Sequence, residues 1–219
     1  MIFLNFKTYE AGTGESAKSL IAICEIVSSA TGVKIIPVVQ ATDLKEITST
    51  STLEIWAQKV DPVEFGANTG SILPEAVVED GAMGTFLNHS ENRLADFETL
   101  AKAHDRAKEV NLKTLIFAVD VDELRQVSSL SPDFISYEPP ELIGSATMSV
   151  ASAKPDVIAE AVRVAGHAGI PLIVGAGVHS MKDVKKSLEM GATGIAVASD
   201  VMKAADPQKE LMDLAEGFK

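Results

Sequence analysis

The sequence predicts an α/β protein folded as a closed (β/α)8 barrel, with eight parallel strands inside and helices outside. Two observations carry this. Short apolar runs alternate with amphipathic stretches along the whole 219-residue chain, and eight such runs occur. The runs are nearly continuous in apolar character, as in parallel strands covered on both faces. The repeat averages about 27 residues, close to the minimum for a strand plus a crossover helix. No G-x-G-x-x-G follows the first run, which weakens an open doubly wound sheet as the alternative. No linker or low-complexity segment divides the chain, so residues 1–219 are expected to form a single domain.

The strands are expected at 2–6 (IFLNF), 33–39 (VKIIPVV), 54–60 (EIWAQKV), 84–88 (GTFLN), 113–120 (KTLIFAVD), 133–138 (DFISYE), 171–176 (PLIVGA) and 194–198 (GIAVA). Helical spacing separates them. Leu20, Ile23, Cys24 and Val27 recur at i, i+3, i+4, i+7, as do Ile158, Ala161, Val162 and Ala165. "SMKD" at 180–183 resembles a capping box, and Gly191 suits the end of the helix it opens. "GAMG" before the fourth strand and "GATG" before the eighth echo each other.

Hydrophobic residues make up 46% and charged residues 23%, which is ordinary for a globular chain. The apolar runs are too short to span a bilayer, and "MIFLNFKTYE" lacks a basic segment and a cleavage site, so a cytoplasmic location is expected. Cys24 is the only cysteine, which excludes an internal disulfide and a cysteine-based metal cluster. A net charge of −12 argues against nucleic-acid and anionic-membrane binding. An anionic small molecule needs only a local positive pocket.

A barrel places its chemistry at the C-terminal ends of its strands. There the chain offers Asn5 and Lys7, His89, Glu138, Gly175 and Gly177, and the run "ASD" at 198–200. Asn5 and Lys7 stand two apart, so strand alternation points both to one face. A carboxylate can take a proton from carbon beside a carbonyl, a histidine can polarise the carbonyl oxygen, and a lysine can stabilise the charge that develops. Small residues in the last two loops let backbone N–H groups approach an anion. The set suits proton transfer on a small phosphorylated carbonyl compound. Taken singly, each residue has a plainer reading: Lys7 a solvated charge, His89 a satisfied core histidine, Glu138 a strand terminator, the glycines a tight turn. Four unrelated strand ends mimicking one site by chance is the weaker account.

The ordered set "NFK", "AQ", "FGANTG", "NHSENR", "YEPPELIGS", "GAG" and "VAS" spans the chain. It resembles triosephosphate isomerase in its short archaeal-type form, a TIM barrel. The resemblance implies interconversion of dihydroxyacetone phosphate and D-glyceraldehyde 3-phosphate in glycolysis and gluconeogenesis, with no cofactor or metal. It implies Glu138 as the proton-shuttling base, His89 as the neutral electrophile, and Asn5 and Lys7 as substrate-binding groups. Gly144, Gly175, Ala176, Gly177, Ala198 and Ser199 would surround the phosphate. Glu91 would be a further carboxylate near Lys7, with Arg93 structural. Residues 139–146 resemble a mobile lid. Residues 64–70 resemble the loop that enters a neighbouring subunit, putting Thr69 near the partner's site. A homodimer is the implied unit, with a homotetramer as the larger alternative.

Ser90 is expected to cap a short helix whose dipole keeps His89 neutral. His104 is expected on a helix flank, His167 and His179 at unremarkable helix ends, and Trp56 in strand packing. Two positions depart from the family pattern. Ala146 stands where a second lid glycine is usual. Asp200 stands where glycine or alanine is usual, close to the expected phosphate site, where a carboxylate would weaken phosphate binding by like-charge repulsion; the favoured expectation is that it faces solvent in a first helical turn and complements the dipole. A lyase or aldolase barrel is the competing enzyme class, but no lysine lies mid-strand in the sixth run. A non-catalytic scaffold is the remaining alternative.

Overall fold

A computed structural model describes residues 1–138 and 155–219. Its eight strands are β1 (Ile2–Asn5), β2 (Ile35–Val39), β3 (Trp56–Ala57), β4 (Gly84–Leu87), β5 (Lys113–Ala118), β6 (Phe134–Tyr137), β7 (Leu172–Val174) and β8 (Gly194–Val197). All pair in parallel in sequence order, and β8 closes on β1 through Ile2↔Ile195, Phe3↔Ala196 and Leu4↔Val197. The predicted closed barrel and all eight strands are found. Each strand is shorter than predicted, because the chain leaves the ladder at the rim to form the loops described below.

Around the strands lie α1 (Gly14–Thr31), α2 (Leu44–Thr50), α3 (Pro74–Glu79), α4 (Phe97–Glu109), α5 (Val121–Ser128), α6 (Pro155–Ala168), α7 (Met181–Glu189), α8 (Ser199–Met202) and α9 (Pro207–Glu216). The predicted stripe of α1 buries Leu20, Cys24 and Val27 and half-buries Ile23. Ser180 caps α7 by accepting from the Asp183 N–H, while Asp183 Oδ2 accepts from the N–H of His179. This is the expected capping box moved one residue outward. Among the described residues, no helix is long and apolar enough to cross a membrane.

Alternation along the strands divides the core in two. Ile2, Leu4, Ile35, Val39, Ile195 and Val197 face the helices. Phe3, Ile36, Val38, Trp56, Phe86, Leu115, Phe117, Ile173 and Ala196 fill the barrel. Phe3 meets Trp56 edge-on with ring centroids 5.0 Å apart. Such bulk fits only because other inward positions are small. A Cβ on Gly84 would lie 2.3 Å from Cε2 of Trp56, and one on Gly194 would lie 2.5 Å from the Met1 carbonyl. The repeated "GAMG" and "GATG" therefore share a physical cause. Gly81 and Gly191 turn the chain at φ +92° and +101°, Ala82 and Ala192 are buried, and Gly84 and Gly194 open strands beneath crowded neighbours.

His104 is not a flank residue. It is buried between α4 and β5, where Nδ1 lies 3.1 Å from Thr114 Oγ1, and burial lowers its pKa. The stripe from Phe97 through His104 is the face that α4 turns to the sheet, so the histidine goes inward with it.

Gly84→Ala is expected to destabilise the fold by about 3 kcal/mol, the upper range for overpacking a rigid core. The lone tryptophan, Trp56, is itself the contact, so its fluorescence in a urea titration reports the shift directly.

Candidate active site

The inward residues just above the aromatic layer are polar. Asn5 follows Phe3 on β1, and Glu138, one residue past the end of β6, continues the inward alternation of Phe134 and Ser136. Alternation alone does not deliver the other two groups. Lys7 lies past the end of β1 with φ +46°, so the two-residue spacing from Asn5 does not orient it. Its conformation is instead held by Asn5 Oδ1, which accepts from the Lys7 N–H at 3.0 Å, and by Gln58 Nε2, which donates to the Lys7 carbonyl at 2.8 Å. On β4, alternation from Phe86 would aim residue 88 inward. Asn88 adopts φ +60°, which reverses the parity and turns His89 to the pocket. The Asn88 amide donates to the Phe117 carbonyl and to Glu123 Oε1. Glu123 also accepts from Arg93 and from the Val119 N–H, which supports the structural reading of Arg93.

These elements converge on one cavity lined by Asn5, Lys7, His89, Glu138, Gly175, Ala176, Gly177, Ala198 and Ser199. A second opening beside it shares Asn5, Lys7 and His89 and adds Gln58 and Glu91. His89 Nε2 stands 3.6 Å from Glu138 Oε2. Lys7 Nζ pairs with Glu91 Oε1 at 2.7 Å. Gly144 and Ala146 lie outside the described residues. Thr69 is on the exposed 64–70 loop and does not line the cavity.

No helix follows His89. Residues 89–92 form a turn closed by the Asn92 N–H on the His89 carbonyl at 2.7 Å, so the expected cap and its dipole are absent. Ser90 has another role: its hydroxyl donates to Glu138 Oε2 at 3.0 Å. Its place within "NHSENR" marked the cluster but not this partner, 48 residues away. The state of His89 has other causes. Burial, and then the Lys7 ammonium, lower its pKa to about 4, against a smaller opposing effect of Glu91. Geometry agrees independently. The Glu91 N–H donates to Nδ1 at 3.1 Å, so Nδ1 carries a lone pair and a neutral ring carries its proton on Nε2, facing Glu138.

Glu138 is displaced the opposite way. Burial raises it to about 7, against the opposing Ser90 hydroxyl and Lys7 charge, with Glu91 adding a small rise. Two adjacent buried groups thus hold a carboxyl that ionises near neutrality and a neutral imidazole donor, a pairing suited to proton transfer. Gly175 is what admits the carboxylate. A Cβ there would stand 2.6 Å from Ser136 Oγ and 3.3 Å from Glu138 Oε1. Among the described residues, no group of three or more His, Cys, Asp or Glu side chains is placed to hold a metal ion.

Residues 1–217 match the family model described as triosephosphate isomerase. The chain belongs to the triosephosphate isomerase family. The triosephosphate isomerase of Saccharolobus solfataricus is 44% identical over 214 residues, covering 97% of this chain and 93% of that one. That of Methanothermus fervidus is 41% identical over 219 residues, covering 98% and 96%. The crystal structure of triosephosphate isomerase from Bartonella henselae matches with a TM-score of 0.77 over 99% of this chain and 98% of that chain; at 21% identity it supports the fold.

His179, read as unremarkable in the sequence, and Asp200, singled out there as a departure but expected to face solvent, belong to the same pocket of this family member. His179 and Asp200 both line it, and His179 Nδ1 lies 2.9 Å from Asp200 Oδ1. Asp200 therefore does not simply face solvent. The two are 21 residues apart, one on the loop after β7 and the other in the first turn of α8, which no local pattern reveals.

Ser90→Ala removes a donor to the ionised Glu138. The carboxyl should then titrate about one pH unit above its present value near 7. Carboxyl-carbon NMR, with Glu138 assigned by comparison with Glu138→Gln, measures it. Stability responds in a signed way. A carboxyl raised from 4.5 to about 7 on folding is fully tolerated below pH 4.5, and its burial penalty grows as pH rises to about 7. Glu138→Gln should therefore stabilise the fold by up to about 3 kcal/mol at pH 8 and by little at pH 4.5. Urea midpoints at the two pH values are the check.

Proposed function

We propose that this protein is a triosephosphate isomerase that interconverts D-glyceraldehyde 3-phosphate and dihydroxyacetone phosphate. The observation that carries the reading is the buried pair of Glu138 and a neutral His89, 3.6 Å apart beside Lys7, in a member of this family. The Glu138 carboxylate removes the proton from the carbon next to the carbonyl. His89 Nε2–H donates to the carbonyl oxygen as negative charge gathers there, and the Lys7 ammonium stabilises that charge. His89 then moves a proton between the two oxygens of the enediolate, so that the former carbonyl oxygen gains one and the neighbouring hydroxyl oxygen loses one, and Glu138 returns its own proton to the neighbouring carbon, which completes the exchange without a cofactor or metal. Asn5 fixes the backbone of Lys7 and faces the substrate.

The backbone groups of Gly144, Gly177, Ala198 and Ser199, with Gly175 and Ala176 beside them, receive the phosphate. Glu91 orients the Lys7 ammonium. The lid that the resemblance implies at 139–146 lies outside the described residues; its assigned part in this reading is to exclude water from the bound substrate. The chain acts as one barrel domain in the cytoplasm, in glycolysis and gluconeogenesis. Its basic unit is a homodimer, with a homotetramer as the larger alternative, in which the exposed 64–70 loop carries Thr69 to the partner's site. The 78% exposure of Phe65 on that loop supports an apolar contact there.

A coupled assay on D-glyceraldehyde 3-phosphate should detect turnover in the wild type, with kcat about a thousandfold lower in Glu138→Ala of intact fold. Wild-type kcat/KM should fall as pH drops through about 7, where Glu138 gains its proton, and show no loss from His89 until far lower pH. No wild-type turnover would overturn the reading.

A further inference from the structure

The most acidic departure in the pocket is Asp200, whose carboxylate follows Ser199 directly in the wall assigned above to the phosphate. A bare carboxylate in that place would repel an anion. It is not bare. A carboxylate oxygen only accepts, so the 2.9 Å contact requires His179 Nδ1 to carry the proton and donate it to Asp200 Oδ1. His179 is itself fixed. Its N–H donates to Asp183 Oδ2 at 3.2 Å, and it follows Val178, which is buried in the same wall. The other ring nitrogen, Nε2, is buried without a hydrogen-bond partner among the described residues. The ring is therefore committed to Asp200 through one nitrogen, and the contact is not one choice among several exposed ones.

Further acids surround the pair. Glu210 of α9 is raised by burial and then by the charges of Asp200 and Asp213, with His179 acting against them. Asp213 accepts from the Met181 N–H at 2.9 Å. Among the described residues no lysine or arginine pairs with Asp200; His179 is its ring donor, and the Ser199 hydroxyl donates to Oδ2 at 3.5 Å.

We propose that His179 is a positioning residue for anion binding: its Nδ1–H holds the Asp200 carboxylate against the loop after β7 and blunts its charge toward the phosphate lobe. The pair makes an acidic residue compatible with a phosphate site. This rests on the phosphate assignment made under the proposed function. Loss of the imidazole would free Asp200 to swing and to face the anion unscreened. Removing Asp200 as well would remove the source of repulsion, so the second substitution should rescue the first. A merely structural role for His179 in shaping the loop predicts no such rescue.

Calorimetric titration with inorganic phosphate, on the full chain, tests this without relying on turnover. His179→Ala should bind phosphate several-fold more weakly than wild type. Asp200→Gly should bind at least as tightly as wild type, and the double variant should return to within about twofold of it. In the isomerase assay the same pattern should appear in KM, with kcat little changed. Equal phosphate affinity in wild type and His179→Ala would overturn the proposal, as would a double variant as weak as the single one. Absence of phosphate binding to the wild type would overturn it too. Rescue of phosphate binding in a protein without isomerase turnover would leave the pair standing and remove the functional reading instead.

Discussion

The site is organised by the burial of one carboxyl group. Glu138 is 6% exposed, and a carboxylate so enclosed has lost most of the water that would stabilise its charge. What remains to it is a hydroxyl from Ser90, the field of Lys7 and the edge of His89. These are few enough to leave the group near neutrality rather than at an ordinary carboxylate value. A fuller set of donors would lower it and make it a weaker base; none would leave it protonated. The same enclosure keeps the imidazole neutral, so one physical cause displaces both groups in the directions proton transfer needs.

Enclosure has geometric requirements that reach back to glycines and left-handed residues. Gly175 leaves space for the carboxylate, and Gly84 leaves space for the Trp56 ring, which packs against the Phe86 that lines the pocket. Lys7 and Asn88 take positive φ, which costs a non-glycine residue on the order of 1 kcal/mol and persists only where neighbours hold it. Those neighbours are identifiable. Asn5 and Gln58 fix Lys7, while Phe117 and Glu123 fix Asn88. The rigid barrel thus extends its control two residues beyond the strands, to where the side chains with chemical roles begin.

This explains what the sequence disclosed and what it withheld. Strands read well because apolar runs covered on both faces leave a pattern independent of partner identity, and Glu138 read well because it continues the alternation of Phe134 and Ser136. Lys7 and His89 were found as strand-end residues, but the reasons for their orientation lie in backbone turns set by side chains from other strands. Ser90 was misread because a serine after a strand has a familiar local use, and its partner is on another element. His179 was passed over for the same reason, and Asp200 was noticed but sent to solvent, because the pairing of β7 with β8 is what sets the two face to face.

Electrostatics gives the pairings a common logic. A chain with net charge −12 must present a locally favourable surface if an anion is to enter. The acids nearest the pocket each have a partner: Glu91 has Lys7, Asp200 has His179, and Glu123, behind Asn88, has Arg93. The Lys7 pairing carries the larger consequence, since Glu91 is 55% exposed and holds the ammonium in a place where water screens their attraction. A screened, exposed partner restrains direction more than it consumes charge. Lys7 can therefore remain aimed across the pocket and still offer its positive field to an arriving anion, which a fully buried ion pair could not do.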